Sequence, residues 1–139
     1  MNYAPIFFGC DGMDGILDVE GFDASYADNL MFLSPFTPTS TDEAIQTFVT
    51  SFKDAYGETP NQFAADAYDG IYAIKAAAEK AELTPDMSVS DMCDAMKTAM
   101  TEISIDGVTA KGLTWDASGE PSKAPMVVKI ANGDYAVVE

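Results

Sequence analysis

The chain has 139 residues, of which 47% are hydrophobic and 22% are charged, a balance typical of one globular domain with a buried core. Its 23 acidic residues stand against seven lysines, with no arginine and no histidine, so the formal net charge is −16. This composition disfavours nucleic acid as a partner, because phosphates need clustered cations, and it excludes a Ser-His-Asp triad and histidine metal ligands.

The first 36 residues predict a buried strand and a second apolar strand, separated by a loop. Residues 5–10 form a short apolar run that is closed by glycines, and residues 29–36 form a second run that ends among prolines. Residues 13–26 mix polar and apolar side chains around two glycines. We expect this stretch to be a loop with a weak helical segment.

A first helix is predicted over residues 44–56. Ser40 and Glu43 have the spacing of a capping box at its start, and Gly57 is placed to end it. Apolar residues recur at helical spacing between these signals. A linker rich in proline and threonine precedes the helix.

A second helix is predicted over about residues 63–81. Its apolar and small residues form a broad face that suits close packing on a sheet: Phe63, Ala64, Ala67, Tyr68, Ile71, Ile74 and Ala78, widened by Ala76 and Ala77. A third helix near residues 90–100 directs four residues inward as core: Met92, Ala95, Met96 and Ala99.

The C-terminal part predicts a short strand within residues 107–116 and a hairpin. The hairpin strands are residues 126–130 and 135–138, joined at Asn132 and Gly133, and an Asn-Gly pair between apolar runs is a strong hairpin signal. Strands and helices interleave along the chain, which indicates an α/β fold.

The two cysteines, Cys10 and Cys93, lie in segments of different type. Two cysteines in a chain of this length do not make a disulfide framework, so we expect buried free thiols. Cys10 follows an apolar run as in a lipoprotein processing site, but no lysine precedes it and the run is too short for a signal segment. Either the protein is cytoplasmic or its N-terminal part is absent from this chain.

The stretch "GCDGMDG" carries two aspartates among glycines directly after the first strand. No EF-hand spacing can be built from Asp11 or Asp14, and the glycines match neither a P-loop nor a dinucleotide motif. Neither aspartate is placed with a nucleophile and a base, so no catalytic constellation is named. We therefore predict no metal, no cofactor and no catalysis here.

Two interpretations of Asp11 remain open from the local motif. Asp-Gly pairs are common in turns, and a plain turn is the preferred interpretation at this level. Alternatively, a carboxylate at the carboxyl end of a strand in an α/β sheet lies where such folds bind ligands, and it can receive an ammonium group.

The order of several motifs resembles the C-terminal part of type I periplasmic binding proteins, especially the branched-chain amino acid-binding proteins of ABC transporters. The motifs are "PIFFGCDG", "ADNLMFLSPF", "YGETPNQFAADAYDG", "GLTWDASGE" and "VVKIANGDYAVV". The resemblance covers essentially the whole chain but only about the last 40% of a family member, from usual family length. It implies an incomplete fold with C-terminal segments of two α/β lobes, whose three-layer sheets are only partly present.

The resemblance implies a division of the chain between those lobes. Residues 1–37 and 124–139 would belong to the second lobe, and residues 38–123 to the first. Residues 35–38 and 122–125 would be hinge strands. The ligand would lie between the lobes, which close around it.

The resemblance also implies site residues. Asp11 falls where amino acid-binding members carry an acid against the ligand ammonium, and Phe63 falls near an aromatic position that touches the ligand side chain. Gly12 would keep the loop clear of the ligand, whereas Tyr68 is expected to serve packing. The residues that grip the ligand carboxylate belong to the family's N-terminal part.

The function implied is that of a substrate-binding component of an ABC importer, without catalysis, with a small amino acid-like ligand and the transporter's membrane subunits as partners. It would act outside the cytoplasm. The alternative is a ligand-sensing receptor domain of the same fold. Because half of each sheet would be missing, we expect exposed strand edges and helix faces, and either a longer protein or a dimer that covers them.

Overall fold

The structure is a computed structural model that describes residues 5–138. The chain divides into two compact units. The first combines Met1–Ala65 with Pro125–Glu139, and the second is Asp66–Ala124. The predicted lobe segments, residues 1–37, 38–123 and 124–139, stay a prediction, and residues 1–4 and 139 lie outside the described part.

The first unit contains a sheet whose spatial order is the same as its order along the chain. Its strands are β1 (Phe8–Gly9), β2 (Met31–Ser34), β3 (Met126–Ala131) and β4 (Asp134–Val137). β1 runs parallel to β2, and the remaining neighbours are antiparallel. Phe32 and Val128 lie opposite each other and are both 1% exposed, so they anchor the core of this unit together with Ala27, Leu30 and Ile130.

The prediction of a buried first strand is wrong. Only two residues of the stretch 5–10 form β1, and Ile6, Phe7 and Phe8 are 78%, 60% and 58% exposed. β1 lies at one edge of the sheet, where β2 is its partner, and the other residues of 5–138 leave these side chains largely uncovered. The following segment, predicted as a loop with weak helical character, contains short 3-10 turns at Asp11–Met13, Ile16–Asp18 and Ala24–Ala27.

Helix α1 (Glu43–Tyr56) begins at a different cap from the predicted one. The Asp42 carboxylate accepts hydrogen bonds from the backbone N–H groups two and three residues further on, at 2.9 and 3.1 Å. Ser40 instead accepts from the N–H of Asp42. An aspartate cap also places negative charge at the helix N-terminus, which is favourable. Gly57 adopts a left-handed conformation with φ +76°, which confirms the predicted end of the helix.

Helices α2 (Gln62–Lys80) and α3 (Val89–Met100) begin and end within one residue of the prediction. The packed face of α2 is different from the predicted one. After the buried Gln62 at its start, the packed positions follow at intervals of four residues, at Ala65, Asp69, Ala73 and Ala77, of which only Ala77 belonged to the predicted face. The larger apolar side chains are exposed: Phe63, Tyr68, Ile71, Tyr72 and Ile74. In the second unit, Ala73 and Ala77 pack with Ala99 and Ile103, because small side chains allow close approach of α2 and α3.

The segment after α3 is held by a buried carboxylate rather than by a strand. Asp69, which is 3% exposed, accepts hydrogen bonds from the N–H groups of Val108 and Thr109 at 2.8 and 2.9 Å and from the Thr109 hydroxyl at 2.6 Å. A side chain at Gly107 would overlap with the Asp69 carboxyl group. The strand predicted within residues 107–116 is therefore wrong, and only isolated pairings such as Ile105 with Leu113 are present.

The C-terminal hairpin is confirmed. Asn132 and Gly133 have φ values of 55° and 76°, the left-handed pair that a tight hairpin turn needs. The turn joins β3 to β4 in the first unit.

Both cysteines are free and exposed, so the prediction of buried thiols is wrong. Cys10 follows the edge strand, and Cys93 lies off the inner face of α3 that carries Ala99. Within residues 5–138, no helix is long and apolar enough to cross a membrane. Association of copies through the exposed edges of the sheet stays a prediction.

Candidate functional site

Asp11 lies on a turn directly after the parallel strand β1. It opens the 3-10 turn Asp11–Met13, and its carboxylate Oδ1 accepts a hydrogen bond from the N–H of Gly12 at 3.0 Å. The Asp11 carbonyl accepts the N–H of Asp14 at 2.9 Å, which closes the turn. The plain-turn interpretation is therefore correct for the backbone, while the Asp11 side chain remains exposed to solvent.

Asp14 has a structural partner far along the chain. Its Oδ2 accepts the backbone N–H of Gln62, the first residue of α2, at 2.6 Å, and its Oδ1 accepts the N–H of Gly15 at 3.0 Å. Asp14 is therefore a structural residue of the fold rather than a loop carboxylate held only by solvent. Its charge lies at the N-terminus of α2, where it satisfies an otherwise unpaired helix donor.

The side chain of Gln62 reaches back to the turn that carries Asp11. Its Nε2 donates to the Asp11 carbonyl at 2.6 Å. Gln62 is 1% exposed, and its Oε1 has no hydrogen-bond partner among the described residues. Two contacts in opposite directions, Gln62 N–H to Asp14 and Gln62 Nε2 to Asp11, thus join the turn to the start of α2.

Phe63 follows Gln62 in the first turn of α2 and is 48% exposed. The structure therefore places an exposed aromatic residue next in sequence to the residue that holds the Asp11 turn. Gly12 is exposed, and a Cβ added to it would meet no atom within 4 Å. Its lack of a side chain is not required by packing within the described chain.

The charge of Asp11 is not neutralised locally. Among residues 5–138, no lysine forms an ion pair with this carboxylate, whereas Asp66 pairs with Lys123. An exposed anion without a cationic partner remains available to an external cation.

Burial and neighbouring charges change the pKa values of Asp14 and Tyr135. Burial raises the pKa of Asp14, an effect that the N–H groups of Gln62 and Gly15 oppose and that the charge of Asp18 reinforces. Burial and the charge of Asp14 raise the pKa of Tyr135 to about 12. Tyr135 therefore stays neutral near pH 7 and adds no charge to the site.

Sequence reasoning named Asp11, Gly12 and Phe63 but missed Gln62 and Asp14. The N-terminus of α2 carried a local signal, because Asn61 caps it by accepting the N–H of Ala64 at 3.1 Å. Nothing in the sequence pairs residue 14 with residue 62, since they are 48 positions apart.

Residues 7–134 match the family model described as Periplasmic binding protein. No curated protein matches the chain in sequence. The matched region includes the Asp11 turn, all three helices and the start of β4.

Several solved structures are similar over nearly the whole chain. The branched-chain amino acid transporter substrate-binding protein LivJ from Streptococcus pneumoniae, solved with isoleucine, is 25% identical with a TM-score of 0.76, over 99% of this chain and 38% of its own. The leucine-binding protein LivK from Thermotoga maritima is 18% identical with a TM-score of 0.76, over 99% and 37%. A solute-binding protein from R. palustris, solved with benzoate, is 18% identical with a TM-score of 0.71, over 90% and 32%. The chain thus spans less than two fifths of the length of these proteins.

Proposed function

Since the chain belongs to the periplasmic binding protein family and has part of the type I fold, we propose that it contributes to a solute-binding protein that recognises a small amino acid without chemical reaction. The observation that carries this proposal is the exposed Asp11 carboxylate on the turn after β1. Ligands of α/β folds bind at the carboxyl ends of parallel strands.

The chemistry of the surrounding residues supports an amino acid as the ligand. Asp11 supplies a negative charge that no lysine within residues 5–138 pairs with, which suits an ammonium group. Phe63 supplies an exposed aromatic surface for an apolar side chain. The LivJ structure with isoleucine supports the same ligand class at 25% identity. The benzoate complex of the R. palustris protein marks the competing class, an acid without an ammonium group.

The proposed ligand binding also implies a partner and a location for the protein. The membrane subunits of an ABC importer are the proposed partner, and the proposed location is outside the cytoplasm. Binding would be coupled to closure of the family's two lobes through a higher affinity for the closed state.

A ligand panel on the protein expressed from its complete native gene tests the ligand class. We expect L-leucine and L-isoleucine to raise the melting temperature, whereas benzoate and 4-methylpentanoate do not, because only the amino acids bring an ammonium group to Asp11. Calorimetric titration then gives Kd for each. Stabilisation by the two acids equal to that by the amino acids would contradict the proposal.

A substitution at Gly12 tests where the ligand lies. We expect Gly12→Leu to lower the affinity for L-leucine at least about tenfold, a loss of ~1.4 kcal/mol, because the added side chain would occupy the space in front of the turn. The midpoint of urea unfolding should not change, since a Cβ at Gly12 meets no protein atom within 4 Å. Unchanged affinity in this variant would show that the ligand does not approach Gly12.

A further inference from the structure

We propose that Gln62 is a positioning residue for the amino acid site, because its side chain fixes the turn that carries Asp11 to the start of α2. This inference rests on the proposed function for its effect on binding. Its physical basis is the amide donor of Gln62 on the Asp11 carbonyl at 2.6 Å, together with the Asp14 carboxylate on the N–H of Gln62 at 2.6 Å.

The reciprocal arrangement leaves the turn little freedom relative to α2. Asp14 holds the backbone of Gln62 and Gln62 holds the backbone of Asp11, so two residues of the turn are attached to one residue of the helix. Phe63 follows Gln62 directly. The same residue thereby sets the position of the Asp11 turn and stands beside the aromatic residue of the proposed site.

The unpaired oxygen of Gln62 argues for a role beyond stability. Among the described residues, Oε1 has no hydrogen-bond partner although the side chain is 1% exposed. A buried acceptor without a partner destabilises the folded protein, and such exceptions in a packed interior call for a reason. Natural proteins tolerate an unsatisfied buried polar group mainly at sites that serve a function. Because the amide oxygen is buried, Gln62 acts through Asp11 and does not itself touch the ligand.

The test compares Gln62→Met with Gln46→Met in the protein from the complete native gene. Gln46 is a matched control, because its exposed amide also donates to backbone carbonyls, those of Pro38 and Ser40, away from the Asp11 turn. We expect Gln62→Met to weaken L-leucine binding about fivefold to tenfold, because the hydrogen bond that holds the Asp11 carbonyl is lost. Gln46→Met should leave the affinity unchanged.

A double variant shows whether the effect passes through Asp11. In an Asp11→Asn background, Gln62→Met should cause no further loss of L-leucine affinity, because the charge that it positions is gone. A merely structural role would instead lower the affinity by the same factor in both backgrounds, and that result would overturn the proposal. If Asp11→Asn alone leaves L-leucine affinity unchanged, the proposed function fails first.

Hydrogen exchange decides on the positioning itself without any ligand. The Asp14 N–H donates a hydrogen bond to the Asp11 carbonyl. We expect this N–H to exchange faster in Gln62→Met than in wild type or in Gln46→Met. Equal exchange in the three proteins would overturn the inference even if amino acid binding is confirmed.

Discussion

Asp69→Asn is expected to lower the free energy of unfolding by about 3 kcal/mol, a large loss for a single isosteric substitution. Both carboxylate oxygens of Asp69 accept hydrogen bonds, one from Val108 N–H and the other from the N–H and hydroxyl of Thr109. An asparagine keeps the shape but turns one acceptor into a donor, which then faces another donor inside the protein. Urea unfolding followed by circular dichroism measures the change.

Asp94→Asn is the matched control for this experiment. Asp94 is an exposed aspartate on α3, in the same unit, and its replacement should change stability by less than about 0.5 kcal/mol, as is usual for surface positions. A loss below about 1 kcal/mol in Asp69→Asn would contradict the account, because it would mean that the hydrogen bonds of Asp69 are replaceable by water.

Within the sequence "YDG" of α2, the two side chains Tyr68 and Asp69 have different environments. Tyr68 is exposed and contacts Tyr72 with tilted rings whose centroids are 4.9 Å apart, whereas Asp69 points to the buried side and holds the segment that begins at Gly107. The neighbouring Tyr68 thus has no place in the core, although packing was its expected role. Of the residues in "YDG", it is Asp69 whose side chain the fold requires.

Local features of the fold are predictable from the sequence because their causes are local. Gly57 ends α1, and Asn132 with Gly133 turns the hairpin, since in each case one or two residues adopt the backbone conformation that they favour. The first helix cap is harder to predict. Ser40 and Asp42 are both good caps, and the backbone path decides between them.

Burial is less predictable because it depends on what lies opposite each face. The large apolar residues of α2, such as Ile71 and Ile74, have the periodicity of a core face but are 66% and 56% exposed. The row of alanines packs instead, because α3 approaches it closely. Cys10 is exposed for a related reason, since the strand before it lies at an edge of the sheet.

The candidate site was predictable in part. Asp11 and Phe63 came from motif order, and the structure adds the contacts that relate them through Gln62. No periodicity or local motif reveals a contact between residues 11 and 62, because only the folded backbone brings them together. The roles of Asp11, Gly12 and Phe63 in binding remain predictions.

Asp11→Asn is expected to lower the affinity for L-leucine about tenfold to a hundredfold, because a hydrogen bond to a charged group contributes about 1.5–3 kcal/mol. The substitution should leave the fold intact. An asparagine Oδ1 can still accept the N–H of Gly12, and the Asp11 side chain is exposed. The substitution keeps the shape of the side chain and removes its negative charge together with one acceptor oxygen, so the effect on binding can be assigned to the carboxylate.

Asp18→Asn is the control for loss of a nearby negative charge, since Asp18 is an exposed acid a few residues away in the same unit. It should change the affinity for L-leucine by less than about twofold, because water and salt weaken the interactions of a solvent-exposed charge that makes no contact with the ligand.

The most direct test of the central claim is calorimetric titration of L-leucine and of 4-methylpentanoate, its analogue without the ammonium group, into wild-type protein, Asp11→Asn and Asp18→Asn, each from the complete native gene. We predict that Asp11→Asn alone loses affinity for L-leucine and that the difference in affinity between the two ligands disappears in this variant. Equal L-leucine affinity in wild type and Asp11→Asn would contradict the account.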